Sequence, residues 1–102
     1  QIRKSDISGY EDEMGKHRTL ISDLDFQLIE LLSQRMKISE KIGTLKKENN
    51  IAIFQPERWR IIADYAAQKA NESGMSHEFI EKVFKAIHEE SIEVQNKIMI
   101  NK

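Results

Sequence analysis

The chain has 102 residues, 16 basic and 17 acidic, with a net charge of −1. That balance excludes the basic excess of a nucleic-acid binder, and no run of about 18 apolar residues exists to span a membrane. Cysteine is absent, which removes disulfides, thiolate zinc sites and cysteine nucleophiles and is compatible with a cytoplasmic protein.

The first stretch, "QIRKSDISGYEDEMGKH", has neither the apolar run of a signal peptide nor a starting methionine. Residues 1–15 read as a polar linker or tail, as expected of a domain separated from a fusion. Residues 16–102 read as one all-α domain of three helices. With one proline and four glycines, the chain has little of the punctuation that many short strands need.

The first helix is predicted from about His17 to Glu48, with Leu20, Leu24, Leu28, Leu31, Ile38, Ile42 and Leu45 in its apolar stripe. "ENN" ends it, because asparagine tolerates helix-terminating geometry. An apolar link, "IAIF", leads to Pro56, which opens the second helix where a missing N–H costs least. That helix is predicted to run to about Asn71, with Ile61, Ile62, Tyr65 and Ala66 inward. Gly74 supplies the next turn and Ser76 the N-cap of a third helix, His77 to about Met99.

A helix of about 32 residues is roughly 48 Å long, whereas a compact domain of this size has a radius of gyration near 13 Å. The first helix outruns such a globule while staying apolar along one side. The simplest cover is a second copy of the chain, giving an intertwined helical homodimer.

Polar residues interrupt these stripes. Arg35 and Lys46 are eleven residues apart, nearly three full turns, so they leave the same side of the first helix about 16 Å apart. Arg58 begins the row that continues to Ile62 and Tyr65. Ser91 and Gln95 follow Ile80, Phe84 and Ile87 on the third helix. A lone arginine on such a stripe usually lies at its edge and snorkels to water, and a lone buried glutamine can fix helix register. Convergence from three helices is a different matter. Inward cations need anions, the chain's own carboxylates fall mostly on outer faces, and arginine suits a ligand carboxylate through its planar fork.

Other chemistry is missing. His17, His77 and His88 show no ligand spacing and are expected in surface or capping roles. There is no phosphate loop and no nucleophile elbow. An enzyme built from these residues would work by placing charges around a reacting molecule, with no cofactor and no metal.

The segments "HRTLISDLDFQLIELLSQRMKISEKIGTLK", "PERW" and "EESIEVQ" together resemble the all-helical (type II) chorismate mutases, over about residues 17–98. The resemblance implies conversion of chorismate to prephenate by a cofactor-free intramolecular rearrangement in aromatic amino-acid biosynthesis. It implies that Arg18, Arg35 and Arg58 hold the two substrate carboxylates, with Ser91 near one of them. It implies that Lys46 and Gln95 bond the ether oxygen as its bond breaks. Family members are intertwined dimers in which the first arginine reaches the partner's pocket. Helical rise agrees, because Arg18 precedes Arg35 by about 25 Å along one helix, too far for one small ligand. Relatives are often fused to other enzymes of the pathway, so a covalently fused N-terminal enzyme domain is a further expectation.

Two positions depart from the pattern. Trp59 stands where better-known members often have a glutamate that contacts the substrate hydroxyl, and Gln55 where an acid is common. Backbone contact can survive at Gln55; the hydroxyl contact is not transferred to Trp59, which has the alternative of packing between helices. Two rival functions stand beside the mutase: a lyase removing pyruvate from isochorismate in a similar pocket, and a non-catalytic helical dimerisation module in which the polar residues only set register.

Overall fold

The computed structural model describes residues 4–101, with side chains from Ile7 onward. Three α-helices, α1 (Lys4–Glu48), α2 (Pro56–Ser73) and α3 (His77–Ile100), account for the regular structure of these residues. The fold is all-α, as expected. None of the described helices is long and apolar enough to cross a membrane.

The α1 helix begins at Lys4, well before the expected start near His17. Residues 4–16 are mostly acidic and other polar residues, with Ile7, Tyr10 and Met14 as a thin apolar row beside two glycines, a weaker signal than the dense stripe that follows. A helix already nucleated downstream extends through such residues at small cost per residue, and early acids favour its positive end. Gly9 and Gly15 do not break it.

The other boundaries follow from local chemistry. Asn50 takes φ 55, and the Ile51 N–H bonds back to the Lys46 carbonyl at 2.8 Å, closing α1. Gly74 takes φ 71 at the end of α2, a conformation that costs glycine little. The Ser76 hydroxyl accepts from the Phe79 N–H at 3.1 Å, capping α3.

The chain divides into two units, one ending at Ser33 and one beginning at Gln34. In the first unit, Leu20, Ile21, Leu24, Phe26, Leu28, Ile29 and Leu31 are all exposed, between 55% and 69%. The stripe read as a buried face is therefore uncovered within a single chain.

In the second unit, Ala66 and Ala70 of α2 and Ile80 of α3 are buried, with Phe84 packed against them. The small alanines let the two helices approach closely. Ile61 and Tyr65, expected to face inward, are exposed. The inward row of α2 is turned toward Ala66 and Ala70 instead, because α3 packs against the alanines. Three polar residues of this unit, Ser39, Ser91 and Gln95, are buried as well. Gly43 of α1 lies against Gln95 so closely that a Cβ there would sit 3.1 Å from the Gln95 Cα.

Candidate active site

The second unit holds a pocket of about 350 Å³. Its wall is built from three helices and one link. α1 contributes Arg35, Ser39 and Lys46; the link contributes Ile53 and Gln55; α2 contributes Arg58; α3 contributes His88, Ser91 and Gln95. Aliphatic side chains such as Ile38 and Ile42 fill the gaps.

The polar groups are ordered by mutual bonds. Arg35 Nη1 donates to Ser91 Oγ at 2.5 Å, and Ser39 Oγ donates to the same oxygen at 3.0 Å. Lys46 Nζ donates to the Ile53 carbonyl at 2.7 Å and to Gln95 Oε1 at 2.9 Å. An ammonium has three N–H donors, so one remains for a ligand. Most of the Arg35 fork is likewise uncommitted. These bonds hold both cations at defined points of the wall before any ligand arrives, which lowers the entropic cost of binding.

The electrostatics fit a guest of opposite sign. Arg35, Lys46 and Arg58 line the pocket and no carboxylate does. Burial, and then the charge of Arg58, lower the pKa of Arg35. Burial lowers that of Lys46. Both shifts record cations held where their charge is disfavoured, a strain that an anion relieves.

Of the residues singled out in the sequence, Arg35, Lys46, Gln55, Arg58, Ser91 and Gln95 converge on this one pocket. Arg18 belongs to the first unit and is exposed. Gln55 also serves as N-cap of α2 through its backbone, accepting from the Arg58 N–H at 3.0 Å.

Three participants escaped sequence reasoning. Ser39 lies four residues after Arg35, and His88 three before Ser91, so helical spacing alone could have placed both on the inward stripes. The Ile53 carbonyl carries no sequence signal, because every residue has one. His88 also corrects an expectation. It is half-buried in the pocket wall, not a surface or capping residue, because Trp59 stacks on its ring at 4.8 Å with 28° between planes. Trp59 itself does not line this pocket; it borders a neighbouring groove with Ala63, Ala67 and Phe84.

A cationic, carboxylate-free pocket inside a three-helix unit defines the class: an all-helical protein with a site suited to a small anion. The chain belongs to the type II chorismate mutase family, whose model matches residues 17–96. Among curated relatives, it is 29% identical over 80 residues to a "T-protein" of Haemophilus influenzae, covering 78% of this chain and 21% of the relative. It is 30% identical over 82 residues to a bifunctional chorismate mutase/prephenate dehydratase of Buchnera aphidicola, covering 80% of this chain and 21% of that protein. It is 24% identical over 89 residues to a 4-amino-4-deoxychorismate mutase of Streptomyces venezuelae, covering 87% and 86% of the two chains. The chain thus spans about a fifth of the length of the bifunctional relative and of the T-protein, but most of the Streptomyces protein.

Proposed function

We propose that this chain is a chorismate mutase, converting chorismate to prephenate in aromatic amino-acid biosynthesis. The observation that carries the reading is the set of three cations around a carboxylate-free pocket, in a chain of this family. Arg35 and Arg58 hold the substrate's carboxylates, with Ser91 beside one, and fix the folded conformer in which the reacting carbons meet. Negative charge grows on the ether oxygen as the C–O bond breaks. The third N–H of Lys46 and the amide N–H of Gln95 meet that charge. The Gln95 Oε1 accepts from Lys46, so its amide nitrogen is the end left to donate. Both donors stabilise the transition state more than the ground state. Gln55 flanks the substrate chiefly through its backbone.

The uncovered apolar residues of α1 support a homodimer with shared sites. A second copy buries Leu20, Leu24, Leu28 and Leu31 and brings its own Arg18 to this pocket as the third arginine. A fused N-terminal enzyme domain and a cytoplasmic location are further parts of the reading; the bifunctional name of the Buchnera relative supports a fused domain.

The Streptomyces relative favours a second reading, 4-amino-4-deoxychorismate as substrate. An alkyl amine is protonated near pH 7, and three cations with no carboxylate in the pocket wall oppose an added ammonium. The test is to offer chorismate, its 4-amino analogue and isochorismate to the protein and identify the products. Prephenate from chorismate, at a kcat/KM at least about tenfold above the amino analogue, is expected; a tenfold preference corresponds to about 1.4 kcal/mol. Pyruvate released from isochorismate alone, or no turnover, overturns the reading.

Gly43 yields a separate expectation. In Gly43→Ala the new Cβ meets the Gln95 Cα at 3.1 Å, so α3 must yield by a few tenths of an ångström. The helix gains about 1 kcal/mol from losing glycine, which offsets part of an overpacking cost of about 1–3 kcal/mol. Net stability, read from a denaturant midpoint, changes by about 1 kcal/mol, whereas kcat falls by roughly tenfold because Gln95 is displaced from the reacting oxygen.

A further inference from the structure

His88 has surroundings that the proposed mechanism does not use. It projects from the same face of α3 as Ser91 and Gln95 and lines the same pocket. Trp59 clamps one face of its ring at 4.8 Å, and Phe54 meets it at 6.0 Å and 59°. Its Nε2 is buried with no hydrogen-bond partner, which leaves a polar atom uncompensated.

The charges facing His88 come from every surrounding element. Arg35 and Lys46 stand on α1, and Arg58 lines the pocket from α2. Glu89, its neighbour on α3, acts in the opposite sense. Phe54 and Gln55 on the link are uncharged. Burial first, and then Arg35 and Lys46, hold His88 below the ordinary histidine range. The pocket wall therefore sets an imidazole whose charged form is disfavoured among three cations.

A bound dicarboxylate reverses that field. Its two negative charges offset the arginines and the lysine, and an anion close to an imidazole favours the charged ring. We propose that His88 is a further ligand-binding residue of this pocket, one that takes up a proton from solvent when a small dicarboxylate binds. The proton adds to the unprotonated ring nitrogen, and no other bond changes. The inference rests on the reading of the pocket as a dicarboxylate site.

The sign follows from linkage. The complex binds the proton more tightly than the free protein does, so affinity rises as pH falls between the two titration points. Each unit between them is worth up to about tenfold in Kd.

The test is calorimetric titration with an oxabicyclic dicarboxylate mimic of the rearranging substrate, in buffers of different ionisation heat. The working range is from about pH 8 to about pH 5.5, above the carboxylate range. Net proton uptake by the wild-type protein is expected, with Kd falling about tenfold across the range. His88→Leu should bind the mimic with no uptake and a flat pH profile. Binding without uptake in the wild type, or uptake that persists in His88→Leu, overturns the proposal and leaves the mutase reading intact. Failure of the mimic to bind overturns both. If His88→Leu does not fold, proton NMR of the wild-type His88 ring decides, with the exposed His17 and His77 as references. A titration point moved up by the mimic supports the proposal, and an unmoved one overturns it.

Discussion

Lys46→Ala is expected to lower kcat by about 10²–10³-fold or more, the scale seen when one donor to a developing oxyanion is removed. The charge on the ether oxygen exists fully only in the transition state, so the loss should fall on kcat more than on KM. Stability should change little. The ammonium is only half-buried, and what it leaves behind is one acceptor on Gln95 and one carbonyl at Ile53. Each lost bond is worth about 1 kcal/mol, offset by no longer desolvating a cation. Steady-state kinetics beside a thermal melt check this; near-normal turnover in Lys46→Ala sinks the assignment. The same lysine predicts a pH profile. Burial lowers its pKa, and only the ammonium serves the oxyanion. Activity should therefore fall as pH rises, with a midpoint below the ordinary lysine value, and that limb should be missing from whatever activity Lys46→Ala retains.

Arg35→Ala is expected to cost about 10²–10³-fold in kcat/KM, combining lost carboxylate binding with lost orientation. Its effect on the empty protein should be small, within about 1 kcal/mol. The bond to Ser91 Oγ disappears, but so do the burial of a cation and its repulsion by Arg58. The two changes oppose each other, and Ser91 keeps Ser39 as a donor. A dicarboxylate mimic at 100 times its Kd should stabilise the wild type by about 2.7 kcal/mol, and should lose most of that effect on Arg35→Ala. A variant that melts far below the wild type yet still gains from the mimic would falsify the binding role and make Arg35 a structural residue. Arg35→Lys should recover little, because an ammonium keeps the charge but not the two-pronged fork.

Much of this is legible in the sequence. The period of apolar residues marks α2 and α3 to within two residues, since Pro56, Gly74 and Ser76 announce their ends chemically. Eleven-residue spacing put Arg35 and Lys46 on one face, and both line the pocket. The start of α1 was missed, because Ile7, Tyr10 and Met14 form only a thin apolar row interrupted by Gly9 and Gly15. His88 was misjudged because the histidines lack metal-ligand spacing, although its place three residues before Ser91 sets it on the inward stripe, where Trp59 stacks on its ring.

The sequence by itself determined an all-helical chain and the inward polar groups of each helix, because both depend on spacing along one helix, which is local geometry. It also determined that α1 carries more apolar surface than one chain of this size covers. Tertiary structure alone decided which partners those groups take. The Lys46 bond to the Ile53 carbonyl, the shared Ser91 oxygen and the close approach of Gly43 to Gln95 join residues from different elements. Tertiary structure also decided that the position often held by glutamate in this family packs against a histidine. Such contacts depend on how far each helix is turned about its own axis, and packing sets that rotation: the alanines of α2 against α3, and a glycine of α1 against Gln95.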